Sequence, residues 1–253
     1  MRTSISPRRI IAVCASTGLA AALALLPGGS AQANVAADYQ AVGSSSAFYS
    51  GSGGGGSCAL TAGDDSPRSS EKQFRDGTKH ASVSLDTTYT NSLDPADTVH
   101  VKGHVDSKLT VDKRHRDLKS FELAAGGSLK ITHSLLSSDC SASGQVLGAA
   151  SIEFTEHHKG WFYLTRDTRK PNSEVIFILV NAKNGNLKTF DLFEGGKSHA
   201  TSRAFLRPGK YAIVEMAAGL ALSESSGVLK SGRTPDRAVS LTMTLQGEFK
   251  RKK

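Results

Sequence analysis

The chain has 253 residues, with 31 Lys and Arg against 23 Asp and Glu and a formal net charge of +8. A chain of this length buries a core that supplies most of its own stability, so it is not a miniprotein held together by cross-links. Its three cysteines are too few for a disulfide framework, and the two outside the N-terminal segment are too few for a zinc site.

Residues 1–33 open with Arg2, Arg8 and Arg9, continue as an apolar run from Ile10 to Leu26, and end in Pro27-Gly28-Gly29-Ser30-Ala31-Gln32-Ala33. A charged start, an apolar middle and a small-x-small end are the parts of a cleavable signal peptide in their working order. The apolar run is about seventeen residues, rich in Ala and interrupted by Ser16, Thr17 and Gly18, which is marginal for a hydrocarbon core of roughly 30 Å. Cys14 lies inside that run and not behind a small residue, which argues against a lipid anchor. The expectation is a secreted, extracellular protein with no stable membrane insertion after cleavage; Arg8-Arg9 leaves the Sec and twin-arginine routes both open. Cleavage removes three cations and no anion, leaving 28 against 23, a net of +5. Four of those charges are the tail, residues 250–253, so the folded body is near +1 and no basic face for nucleic acid is implied. The tail reads as a solvated terminus, or as a contact for an anionic cell-surface polymer.

Residues 34–57 are small and polar and end in a glycine-rich run, Gly51 to Ser57, the composition of a flexible leader. Residues 63–80 carry little apolar anchoring beyond Phe74 and read mostly as loop. From Ala81 the apolar period becomes two: Ala81, Val83 and Leu85, then Val99, Val101 and Val105, alternate with polar residues as half-buried strands do. The charged run from Asp112 to Asp117 reads as a solvated turn. Phe121 to Ile131 reads as a hairpin reversing at Gly126-Gly127. Ile152 and Phe154 begin another strand, Gly160 breaks it, and Trp161 to Leu164 is the densest aromatic stretch. Val175 to Val180 is an unbroken apolar run, short enough for a strand covered on both faces. Asn184-Gly185 offers a type I′ turn into Leu187 to Phe193. Arg207-Pro208-Gly209 introduces a strand through Tyr211 and Ile213 to Met216. Ala217 to Leu222 is the one candidate helical turn, and Val239, Leu241, Met243 and Leu245 alternate cleanly.

Many short strands between turn signals predict an all-β protein, an antiparallel β-sandwich or jelly roll over residues 58–249. The core is expected to contain Leu123, Ile131, Phe154, Tyr163, Ile176, Ile178, Ile213, Leu241 and Met243. Phe121-Glu122-Leu123, Gly126-Gly127, Leu129-Lys130-Ile131, the Leu206 to Tyr211 segment and the closing Val239 to Leu245 together resemble the strand pattern of bacterial pre-peptidase C-terminal domains. Those are jelly-roll modules of secreted proteins linked to adhesion, substrate attachment or passenger stabilisation. The resemblance spans about a third of the mature chain and implies a fold, with no functional residue carried over.

The chemistry-bearing residues are scattered. His100 and His104 share a strand face but lie about 13 Å apart, too far for one ion. His157 and His158 are neighbours in the segment Glu156 to Gly160, which reads as an exposed turn. There is no G-x-S-x-G around Ser128 or Ser198, and Gly196-Lys197-Ser198 lacks the first glycine of a P-loop. Asp64-Asp65 and Asp94-Pro95-Ala96-Asp97 read as turn formers, with calcium ligation the alternative. Trp161, Phe162 and Tyr163 read as core, with a carbohydrate-stacking platform the alternative. No catalytic, cofactor or metal residue is assigned. The function expected is a secreted non-enzymatic binding or surface protein for a cell-wall, glycan or protein partner; the alternative is a secreted hydrolase with a dispersed active site, and a third reading is an inhibitor or inter-protein module. Cys58 and Cys140 are expected to form a disulfide, because an even pair in an oxidising compartment leaves no odd thiol.

Overall fold

The computed structural model describes residues 35–51, 55–135, 138–168, 173–188, 190, 198–224 and 237–252, the side chains of 173, 174, 237 and 241 excepted. The expected signal peptide lies outside the described residues, as do Gly196 and Lys197 and the side chain of Leu241. The described residues form strands and no helix: β1 (Val35–Tyr49), β2 (Cys58–Ala62), β3 (Lys72–Phe74), β4 (Gly77–Asn91), β5 (Thr98–Arg114), β6 (Asp117–His133), β7 (Cys140–Glu156), β8 (Gly160–Thr168), β9 (Ser173–Asn181), β10 (Leu187–Lys188), β11 (His199–Leu206), β12 (Gly209–Glu224) and β13 (Arg237–Arg251).

All strand pairings are antiparallel, in a six-stranded sheet of order β10-β9-β12-β7-β1-β3 and a seven-stranded sheet of order β11-β8-β13-β6-β5-β4-β2. One continuous apolar cluster joins the two, with Leu85, Val101, Leu123 and Leu245 from one sheet against Ile152, Ile213 and Leu179 from the other. Alternation is sustained over unusual lengths: β5 buries every second residue from Val99 to Val111 and, at 17 residues, runs about 55 Å. Small residues let the sheets approach at mid-length. A side chain on Gly144 would meet Val101 Cγ1 at 2.7 Å, and Tyr39 Oη donates across the core to Ser107 Oγ at 2.7 Å.

Several expectations are corrected. The flexible leader is largely strand: residues 35–49 pair with β7 along their whole length, from Val35 opposite Phe154 to Tyr49 opposite Cys140. Val35, Ala37, Tyr39 and Ala41 are buried there; the inward residues are mostly Ala, Gly and Ser, so composition hid a period of two. The strand body therefore starts before residue 58, and it ends after 249, because β13 takes in Lys250 and Arg251 of the supposed tail. Within 63–80, β3 and the start of β4 are strand.

The hairpin at Gly126-Gly127 is uninterrupted strand, β6, paired on both sides with β5 and β13. Gly127 is required there by close approach, since its Cβ would sit 2.2 Å from the His104 carbonyl oxygen. Ala217 to Leu222 is strand as well, flanked by β7 and β9, where small residues lie flat between two neighbours. The β9–β10 turn has Gly185 at φ 68°, but Asn184 is not at positive φ, so the type I′ geometry does not form.

Of the expected core, Leu123, Ile131, Phe154, Ile213 and Met243 are buried. Tyr163, Ile176 and Ile178 are half-buried and point outward; their neighbours Phe162, Leu164, Val175 and Leu179 fill the core instead. Period two fixes which residues share a face but not which face is inner.

Candidate functional site

Because successive antiparallel strands reverse direction, alternate turns gather at opposite ends of the molecule. One end holds the β5–β6, β7–β8, β9–β10 and β11–β12 turns and the end of β13. Those turns carry exposed Arg114 and Arg116, then Lys159, Lys183, Arg207 and Lys210, and β13 adds Arg251 and Lys252. Among the described residues, the opposite end holds the turn residues 50–51, 55–57, 92–97, 134–135 and 138–139, in which there is no Lys or Arg but Asp94, Asp97 and Asp139 are present. Among the described turns, exposed cations therefore gather at the first end. The basic end was not legible in the sequence, where the same charges looked like an isolated tail and separate solvated turns.

Beneath the basic end lies a buried acidic pair. The tight β5–β6 turn, with His115 at φ 60°, starts β6 at Asp117, whose side chain is 7% exposed. Asp117 Oδ2 accepts from Arg251 Nη2 at 2.9 Å, and Oδ1 lies 2.5 Å from His157 Nδ1, with His158 Nε2 at 3.8 Å from Oδ2. Glu156, the last residue of β7, continues the inward series of Ile152 and Phe154 and is 1% exposed. Neither of its carboxyl oxygens has a hydrogen-bond partner. Burial, and then the neighbouring Asp117 charge, push the Glu156 carboxyl up to about 8, against the pull of Arg251. Glu156 is therefore neutral over most of the physiological range, and Asp117 is the acceptor that fastens Arg251 and His157.

The cations are held in place from several elements. Lys252 N donates to the Lys159 carbonyl at 3.1 Å, so the end of β13 is tied to the β7–β8 turn. Tyr211 Oη donates to the Arg207 carbonyl at 2.8 Å, which sets the β11–β12 turn. The expectation of an exposed Glu156 to Gly160 turn is corrected at both ends, where Glu156 and Gly160 are buried strand residues; His157, His158 and Lys159 are exposed. The solvated run 112–117 is likewise corrected at Asp117, which is buried. The tail is not a free terminus at Arg251, because that side chain reaches Asp117.

The other candidates stay apart. His100 Nε2 pairs with Asp86 at 2.6 Å, and His104 Nε2 with Asp106 at 3.0 Å, on an exposed sheet face. Asp64 and Asp94 each accept a backbone N–H two residues on, as turn formers do. Among the described residues no group of three or more His, Cys, Asp or Glu is arranged to hold a metal ion. Cys58 and Cys140 are bonded, with Cα atoms 5.9 Å apart and a sequence separation of 82. Cys140 is fully buried and not in an exposed turn, so the disulfide ties the short edge strand β2 to the core. Trp161 and Tyr163 face outward, whereas Phe162 is core. The chain matches no family model and no curated protein.

Proposed function

We propose that this protein is a secreted, non-enzymatic binding or surface protein that engages an anionic extracellular polymer through its basic end. The observation that carries this reading is the gathering of eight exposed cations, Arg114, Arg116, Lys159, Lys183, Arg207, Lys210, Arg251 and Lys252, at one end of the described strands. Clustered cations raise the local concentration of a polyanion and release its counterions on contact, so affinity grows with the number of cations and falls with salt. The ties from Asp117, His157 and the Lys159 carbonyl hold Arg251 and Lys252 beside the other turns, which lowers the entropy lost on binding. Two antiparallel sheets on one core also suit the sandwich fold of the pre-peptidase C-terminal domains that parts of the sequence resemble, although the hairpin at Gly126-Gly127 that contributed to the likeness is continuous strand.

The test is titration with inorganic polyphosphate between about 50 and 200 mM salt. Affinity should fall steeply over that range, and joint substitution Arg116→Gln, Lys159→Gln and Lys210→Gln should flatten the log–log slope by roughly one unit per contacting cation. Binding that ignores both salt and these substitutions would overturn the reading. A hydrolase is the second reading, favoured by one observation, a neutral Glu156 carboxyl beside Asp117, which is the acid and base pairing of many hydrolases. Glu156 is closed off from solvent, which weighs against it; hydrolysis of a model glycoside abolished by Glu156→Gln would establish it.

A further inference from the structure

The chain has one tryptophan, and it stands on the solvent side of the seven-stranded sheet. Alternation along β8 turns Trp161 and Tyr163 outward. Across β11, Phe205 lies opposite Trp161 and Arg203 opposite Tyr163; across β13, Lys250 lies opposite Trp161 and Glu248 opposite Tyr163. Phe205 meets the Trp161 ring edge-on at 5.3 Å, the Arg203 guanidinium lies 4.5 Å from the Trp161 centroid, and Lys250 Nζ lies 5.2 Å from that of Tyr163. Three half-buried rings on an open sheet face, with a cation over each of two, form a strip that ends at Lys250, next in sequence to Arg251 of the basic end.

Rigid aromatic rings offer large apolar faces at small cost in rotamer entropy. The rest of the strip is hydroxyl, amide and carboxylate: Thr165 and Thr201 share a hydrogen bond, and Gln246 and Glu248 follow on β13. That mixture suits a hydroxylated ring better than a nucleic acid, which needs an unbroken cationic track for its phosphates. Arg203 covers one face of Trp161, and by turning to an acidic group it exchanges a cation–π contact for charge-assisted hydrogen bonds while a sugar face takes its place.

We infer that Trp161, Tyr163 and Phe205 form a saccharide-stacking surface and that the polymer held by the basic end is an acidic glycan, its sugar rings on this strip and its acidic groups on Arg203 and Lys250. The inference rests on the basic-end reading and deepens it.

The purified full chain and its variants are titrated by calorimetry with polygalacturonate, polyphosphate, dextran and oligothymidylate, and in the wild type Trp161 emission, which reports on this strip alone, is followed as well. Polygalacturonate should shift the emission. Trp161→Ala should weaken polygalacturonate binding about tenfold or more, the loss expected of one stacking contact, and leave polyphosphate within about twofold. Arg203→Gln should weaken polygalacturonate and leave dextran unchanged. Both variants should melt with the wild type, since these side chains are outside the core. If Trp161→Ala changes no titration, or weakens polyphosphate as much as polygalacturonate, the strip is not a saccharide surface. Stronger emission change with oligothymidylate than with polygalacturonate would overturn it in favour of nucleic acid. Salt-insensitive polygalacturonate binding that needs Trp161, without polyphosphate binding, would keep the strip and remove the basic end; a wild type that binds none of the polymers removes both.

Discussion

The two ends of the molecule close the same strands by opposite means. At the acidic end the Cys58–Cys140 bond and a network around Asp97 do the work: Asp97 Oδ2 accepts from Asn91 Nδ2 at 3.1 Å and from the Asp139 backbone at 3.0 Å. At the basic end nothing is covalent, and Asp117 fastens Arg251 and His157 while a buried Glu156 stays neutral. A covalent staple costs little electrostatically, and the same end also buries Asp97 and, 4.0 Å apart, His133 and Glu224. At the basic end the tie of Arg251 and His157 to Asp117 depends on protonation.

The largest effect should come from removing the staple. Cys140→Ser opens a loop of 82 residues and should cost about 4–5 kcal/mol in denaturant unfolding, with faster amide exchange in β2 and little change in β13. Protein lacking residues 1–33 should show no titratable thiol under denaturing conditions; two thiols would break the comparison at its first term.

At the other end the effect should follow pH. Because the folded carboxyl of Glu156 is raised from 4.5 to about 8, the folded state keeps a proton that the unfolded chain has released between those values. Stability from this group is therefore greatest below 4.5, falls as pH rises towards 8, and is level beyond it, a loss of up to about 5 kcal/mol. Glu156→Gln should flatten the melting-temperature profile over that window and leave the protein more stable than wild type at high pH. An unchanged profile would remove Glu156 from the comparison.

A smaller effect is expected of Asp117→Asn, about 2–3 kcal/mol at pH 5, where Arg251 loses its charged acceptor and Glu156 is largely neutral. The same variant should also speed amide exchange at Arg251 and Lys252. The smallest is Asp86→Asn on the exposed sheet face. The hydrogen bond from His100 is the main cause that holds the Asp86 carboxyl below its ordinary value, yet both side chains are in solvent, so the melting temperature should not move measurably.

The sequence by itself determined the strand periodicity, the all-β class, the pairing of Cys58 with Cys140, and the burial of residues such as Leu123, Ile131 and Met243. Each of these depends on local pattern or on counting. Tertiary structure alone decided the direction of each strand and hence which turns meet. Reading a reversal into Gly126-Gly127 inverts every strand after it, and with it the end to which the β7–β8 and β11–β12 turns belong, so the basic end could not be assembled from the sequence. The same holds for β1, whose Ala, Ser and Gly side chains are inward because the facing sheet comes close, a distance that no local pattern records. Glu156 looked like part of a polar turn for a related reason: strand parity placed it inward, and only the opposing β6 and β13 supplied the Asp117 and Arg251 that define its environment.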